Sequence, residues 1–166
     1  MLRALRELAQ STWLIAISTF YREPAIDRPH GPYFYNGVLA AETGMPAVGF
    51  KWQVLRRIEA DLGRRRTGDK NASRTIDLDL LLYGDRVLST DELTLSDPHL
   101  RTRAFIAAPL CDLAPTLRLP GSGLPIREVA AQLSMAGMES LPRYTLQLRQ
   151  QLLGNISQTI QENQRG

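Results

Sequence analysis

A single domain that mixes helices with strands is what the sequence predicts, and three observations predict it. Apolar residues recur at helical spacing over residues 2–10 and again over 47–62; residues 13–21 are dense in β-branched and aromatic side chains; and residues 75–83 alternate by side. The 166 residues are enough for one sizeable core. A composition of 43% hydrophobic and 22% charged residues is that of an ordinary folded protein. No apolar run reaches the length of a membrane span, and Arg3, Arg6 and Glu7 interrupt any leader-like stretch, so no membrane partner is expected. Cys111 is the only cysteine and can form no internal disulfide, which makes the cytoplasm the expected compartment; with two histidines besides, a zinc site is not expected.

Taken in order, Leu2, Leu5, Leu8 and Ala9 predict the end of an amphipathic helix. Residues 13–21 have apolar side chains on both faces and predict a buried strand. Pro24, Pro29, Gly31 and Pro32 mark a loop, and residues 33–41 form a second strand candidate. Pro46 suits the first turn of a helix running to about Leu62, with Val48, Trp52, Leu55, Ile58 and Leu62 on one face and Gly63 as its stop. A third strand is expected over 75–83, with Ile76, Leu78, Leu80 and Leu82 on one face and Asp77, Asp79, Leu81 and Tyr83 on the other. Gly84 and Asp85 turn the chain into a short segment at Val87 and Leu88, and helices are expected near 102–113 and 126–133. From about residue 140 the chain is Gln-rich, with Leu148, Leu152, Ile156 and Ile160 spaced as one apolar stripe weakened at Gly154.

Charge is concentrated in one place. Between Arg56 and Arg74 lie seven cations (Arg56, Arg57, Arg64, Arg65, Arg66, Lys70, Arg74) against Glu59, Asp61 and Asp69, a local +4, while the rest of the chain has 13 cations against 14 acids. Eighteen of the 20 cations are arginine, whose planar fork suits bidentate recognition of phosphate. Just beyond this basic loop, Asp77 and Asp79 sit two apart, so a strand would point both carboxylates the same way, roughly 6–7 Å apart at Cα. A bare Asp-x-Asp is often only a solvated strand face. Here the apolar residues around it argue for burial, where two unpaired carboxylates are costly unless a cation lies nearby. Magnesium with phosphate partners uses one or two such carboxylates, and arginines beside it are what phosphoryl transfer requires. Gly68 with Ala72 and Ser73 would let the loop close over a nucleotide. The run Gly63 to Lys70 is no Walker A loop: its lysine is displaced by one, no Ser or Thr follows, and it comes after a helix.

At Arg74-Thr-Ile-Asp-Leu-Asp-Leu-Leu-Leu-Tyr-Gly-Asp85, preceded by Gly63-Arg-Arg-Arg, the sequence resembles the 6-hydroxymethyl-7,8-dihydropterin pyrophosphokinase family of folate biosynthesis. The likeness covers roughly residues 1–133 and includes Phe20-Tyr21-Arg22-Glu23-Pro24, Phe34-Tyr35-Asn36, Arg103-Ala-Phe105 and Ala108-Pro109-Leu110. The resemblance implies an α+β fold, a ferredoxin-like antiparallel sheet flanked by helices. It implies that ATP gives its β,γ-pyrophosphoryl unit to the pterin's hydroxymethyl oxygen, leaving AMP. By the same likeness Asp77 and Asp79 would hold two Mg²⁺ ions, and Arg64 and Arg74 would neutralise the transferring group. Glu59, Arg66, Thr94 and Arg103 would surround ATP. Pro24 would line the pterin site, Phe34 and Phe105 would sandwich the ring, and Asn36 would read its polar edge. On the residues alone, core packing is the plainer reading of both phenylalanines.

The departures from the family pattern matter too. Asn71 stands where some members have Trp, and Arg56 where Gln is frequent. Asp97 stands where an ATP-contacting His is common, with His99 two residues on, so either could serve ATP. Met1 already falls within what matches the family's first helix, so the first strand and its Gly-Ser-Asn-like turn are expected to be missing. Such a chain would be poorly stable and prone to self-association through the open sheet edge. Residues 134–166 are expected as a helical tail beyond the family's core. Two rival readings follow: a non-catalytic relative that binds nucleotide or a partner, and a nucleic-acid module on the basic patch. The second is disfavoured by the absence of interleaved aromatics and by the adjacent Asp pair, so small molecules, not nucleic acid, are the expected partners.

Overall fold

The computed structural model describes residues 1–24, 33–64 and 76–153. Helix α1 (Leu2–Ser11) turns Ala4, Leu5 and Leu8 inward, and the Thr12 hydroxyl closes it by donating to the Leu8 carbonyl at 2.9 Å. The stretch expected as one strand over 13–21 is two, β1 (Trp13–Ile17) and β2 (Tyr21–Pro24). Residues 33–41 likewise divide into β3 (Tyr33–Asn36) and β4 (Leu39–Glu42). The break has a packing cause. The Phe20 ring is 2% exposed and lies so close to Gly37 that a Cβ there would stand 2.7 Å from it. Both chains bend around this ring, and Ser18 and Val38 tie the bend: the Ser18 N–H donates to the Val38 carbonyl and the Val38 N–H to Ser18 Oγ, each at 2.9 Å.

Consequently β1 pairs antiparallel with β4 and β2 with β3, in separate sheets. The second sheet gains β7 (Glu139–Ser140) on the free edge of β2. The antiparallel α+β character that the resemblance implies holds, with the described pairing spread over small sheets. Burial on both faces of β1 does not hold: Leu14 and Ile17 are buried while Trp13 and Ile15 are 52% and 50% exposed, because helices cover one side of this sheet only.

The expected helix over 47–62 forms as α2 (Ala47–Phe50), a π-helical turn over Lys51–Leu55, and α3 (Arg56–Asp61). Gly63 follows at φ +85°, the left-handed stop its position implied. The wide turn shifts the buried face to Ala47, Phe50, Val54, Leu55, Ile58 and Glu59. Trp52, expected on that face, is instead 48% exposed.

Residues 76–82 form no strand ladder with the other described residues, which corrects the third strand expected there. Their alternation survives: Ile76 is buried, Leu78 and Leu80 pack on the same core, and Asp77 and Asp79 face out. Side chains and a loop take the place of a neighbouring strand. The Leu78 N–H donates to Glu59, its carbonyl accepts from Arg56, and the Leu81 carbonyl accepts from the Asp97 N–H. Beyond the turn at Gly84, β5 (Leu88–Ser89) pairs with β6 (Thr94–Leu95). A 3₁₀ turn (Pro98–Arg101) then leads to α4 (Ala104–Leu113) and α5 (Ile126–Gln132), close to the helices read from the sequence.

The last described element, α6 (Pro142–Leu152), packs Leu148 and Leu152 against Leu5, Ile17 and Phe20. Its Thr145 hydroxyl accepts from the Phe20 N–H at 2.8 Å, and Arg149 donates to the Ile17 carbonyl at 2.8 Å. Ile156 and Ile160 of the expected stripe lie outside the described residues. No described helix is long and apolar enough to cross a membrane.

Candidate active site

Asp77 and Asp79 share the outward face of residues 76–80, with side chains 34% and 51% exposed. Beneath them lies Glu59 on α3, 1% exposed. Its Oε1 accepts from the Leu78 N–H at 2.7 Å, the peptide between the two aspartates. Both Glu59 oxygens accept from Arg56 Nη1 at 2.8 Å, and Oε1 also accepts from Arg64 Nη1. The two arginines then reach outward. Arg64 donates to both oxygens of Asp77, through Nη1 and, at 3.2 Å, Nη2. Arg56 lies 3.5 Å from Asp79 and 3.9 Å from Asp77. Helix α3 supplies Glu59 and Arg56 one turn apart, and Arg64 follows directly after the Gly63 stop. A buried acid is tolerable only with such pairing.

Partial desolvation pushes the Asp79 carboxyl above the usual aspartate range, with the charges of Asp77, Asp97 and Glu59 acting in the same direction and Arg56 against them. Two carboxylates on one face are the oxygen donors that a hard dication takes. Among the described residues no cage of three or more His, Cys, Asp or Glu forms. A magnesium ion sharing its shell with phosphates and water does not require one.

Beside Asp79 opens a pocket of about 220 Å³, lined among others by Lys51, Arg56, Thr94, Asp97 and His99. Asp97 and His99 need not be alternatives for this pocket, since both line it. Asp97 caps the 3₁₀ turn by accepting from the His99 N–H at 2.7 Å, and its Oδ1 lies 3.0 Å from His99 Nδ1. Lys51 is not among the residues that the sequence singles out. Its signal was position alone, one turn before Arg56 on the same helix.

A second group gathers on the β2–β3 hairpin and the start of α4. Phe34 and Asn36 alternate on β3 and share a face, with Phe34 paired to Glu23 and Pro24 to Tyr33. Asn36 Nδ2 donates to Glu23 Oε1 at 3.1 Å. Burial raises the Glu23 carboxyl above its ordinary range, against the opposing pull of the Asn36 hydrogen bond and the Arg103 charge. The Arg103 guanidinium lies 5.5 Å over the Phe105 ring, and α4 packs beside β3. Phe34 is 45% exposed and therefore not core, although Tyr33 and Tyr35 are equally open; Phe105 is half-buried. Glu23 enters the sequence reading only within the run Phe20 to Pro24, with no role of its own, because a lone acid on a strand carries no pattern. Arg66 and Arg74, expected beside ATP and the transferring group, lie outside the described residues.

Residues 1–115 match the 7,8-dihydro-6-hydroxymethylpterin-pyrophosphokinase (HPPK) family. Among similar proteins, the 2-amino-4-hydroxy-6-hydroxymethyldihydropteridine pyrophosphokinase of Pseudomonas aeruginosa is 37% identical over 136 residues, 82% of each chain. The proteins of the same name from Haemophilus influenzae and Methylorubrum extorquens are 34% and 35% identical, over 79% and 76% of this chain and 79% and 77% of their own lengths. The family match and these relatives define a transferase, a pyrophosphokinase, and the mixed α+β build fits it. The chain belongs to the HPPK family, the pyrophosphokinases of folate synthesis, and the reading as a non-catalytic relative is not favoured.

Proposed function

We propose that this chain transfers the pyrophosphoryl unit of ATP to the hydroxymethyl oxygen of 6-hydroxymethyl-7,8-dihydropterin, releasing AMP, in the cytoplasm. The observation that supports this reading most is the Asp77–Asp79 pair, interlocked with Arg56 and Arg64, with Asp79 and Arg56 lining the pocket that Thr94, Asp97 and His99 also line.

Asp77 and Asp79 are the residues that would hold two Mg²⁺ ions, which when bound would neutralise charge on the phosphates. Arg64 and Arg74 act on the transferring group: in-line transfer asks the protein for positioning and charge, not for covalent chemistry. Arg64 must leave Asp77 to do so, and its side chain is already shared with Glu59, so the exchange needs no uncompensated charge. Thr94, Asp97, His99, Arg66 and Arg103 orient ATP, while Glu59, placed near ATP by the resemblance, backs Arg56 and Arg64 from beneath. Pro24, Phe34, Asn36 and Phe105 hold the pterin, the rings by stacking and Asn36 through its amide.

Incubation with Mg-ATP and the pterin alcohol should give AMP and pterin diphosphate in equal amounts, read by chromatography. Release of ADP would mean transfer of a single phosphoryl group and would overturn the reading.

A further inference from the structure

We infer that Glu59 is a positioning residue that keeps the Asp77–Asp79 pair available to a dication by holding Arg56 and Arg64 and fixing the intervening Leu78 peptide. The inference rests on the proposed metal-binding role of the two aspartates. Glu59 touches neither solvent nor the pocket beside Asp79: it is 1% exposed and is not among that pocket's lining residues. Yet its carboxylate meets three groups that control the aspartates, namely both arginines and the Leu78 N–H. Arg56 and Arg64, 15% and 11% exposed, are held between the buried acid and the two outward ones.

Charge counting shows what this does. The described members of the cluster are two cations, Arg56 and Arg64, and three anions, Glu59, Asp77 and Asp79, for a net charge of −1. Among these five described groups, removing the Glu59 charge would leave two arginines against two aspartates. A dication would then compete with two guanidinium groups whose remaining described acceptors are the aspartates and, for Arg56, the Leu78 carbonyl. With Glu59 present, each arginine can retreat onto a buried anion when a metal takes its aspartate. The Leu78 N–H bond adds a geometric part, since it fixes the peptide from which both aspartates diverge. Outer-layer partners of this kind typically change metal affinity about 10- to 100-fold when removed.

Glu59→Gln keeps the shape and an oxygen acceptor for the Leu78 N–H but removes the charge. Mn²⁺ binding, measured by electron paramagnetic resonance with a non-hydrolysable ATP analogue, should weaken about 10- to 100-fold, while thermal unfolding stays cooperative. Adding Arg56→Gln to that variant returns the net charge to −1 and should recover most of the lost affinity; a merely structural role for Glu59 predicts no such rescue. Arg56→Gln alone should tighten Mn²⁺ binding, and this variant decides the matter if Glu59→Gln does not fold. Unchanged affinity in Glu59→Gln, absence of rescue, or weaker binding in Arg56→Gln would each overturn the inference. Failure of the parent protein to bind Mn²⁺, or equal binding by Asp79→Asn, would instead overturn the metal-binding reading, and this inference with it.

Discussion

Asp77 and Asp79 lie two residues apart and face the same way, yet they should respond to mutation with opposite signs. Asp77 accepts from both Nη atoms of Arg64, whereas Asp79 has only a 3.5 Å approach from Arg56 and a carboxyl raised above its usual range by partial desolvation and by Asp77. An acid whose pKa is raised in the fold adds stability while protonated and loses it as pH climbs through that raised value. In the absence of metal, Asp79→Asn should therefore raise Tm at pH 7 relative to the parent, with the gain vanishing below about pH 4, where both states hold the proton. Asp77→Asn should lower stability by about 1–3 kcal/mol, since it strips a charged partner from a nearly buried guanidinium. Thermal melts across pH measure both; equal losses from the two variants would mark the pair as purely structural. With Mg²⁺ and nucleotide, both variants should lose turnover. The Asp-x-Asp spacing is legible because side-chain alternation persists even where no described strand pairs with it. Glu59 was placed near ATP by resemblance, and its support from below could not be read, because burial of that one acid depends on how the helix turns after residue 50.

At the scale of elements, the sequence located helices more reliably than sheets. Helical spacing reports a face directly, and α1, α4 and α5 fall close to where that spacing put them. The π-helical turn at Lys51–Leu55 inserts extra backbone that no propensity marks, and it moved Trp52 out of the core. The two strand runs were divided by an event visible only in three dimensions, the Phe20 ring seated against Gly37. Gly37→Ala should consequently cost about 1–3 kcal/mol: the ring, 2% exposed, has little room to yield, and the added carbon would meet it at 2.7 Å. Denaturant unfolding should show a lower midpoint with an unchanged slope. A midpoint equal to the parent's would mean that the bend between β3 and β4 relaxes freely and that Phe20 does not set it.

At the scale of the whole molecule, the question is where the cooperative unit ends. Sequence resemblance suggested a body ending near residue 133 with a tail beyond it, but α6 closes one of the molecule's hydrophobic clusters. Leu148 and Leu152 are 3% and 5% exposed against Leu5, Ile17 and Phe20. Leu39 and Leu153 pack on both this cluster and the one formed by α1, α3 and Ile76, so the two are mechanically joined. Thr145 also satisfies the buried Phe20 N–H, which without α6 would have to find water or remain unpaired. Leu148→Ala in the full chain should thus cost about 2–5 kcal/mol, a large share of the roughly 5–15 kcal/mol that holds a domain. A fragment of residues 1–133 should lose cooperative unfolding altogether, judged by calorimetry. The same fragment should bind the pterin more weakly, since β7 pairs with β2 and that hairpin carries Phe34 and Asn36. Cooperative melting of the fragment near the parent's Tm, together with a small effect of Leu148→Ala, would put the boundary at 133 and make α6 an appendage.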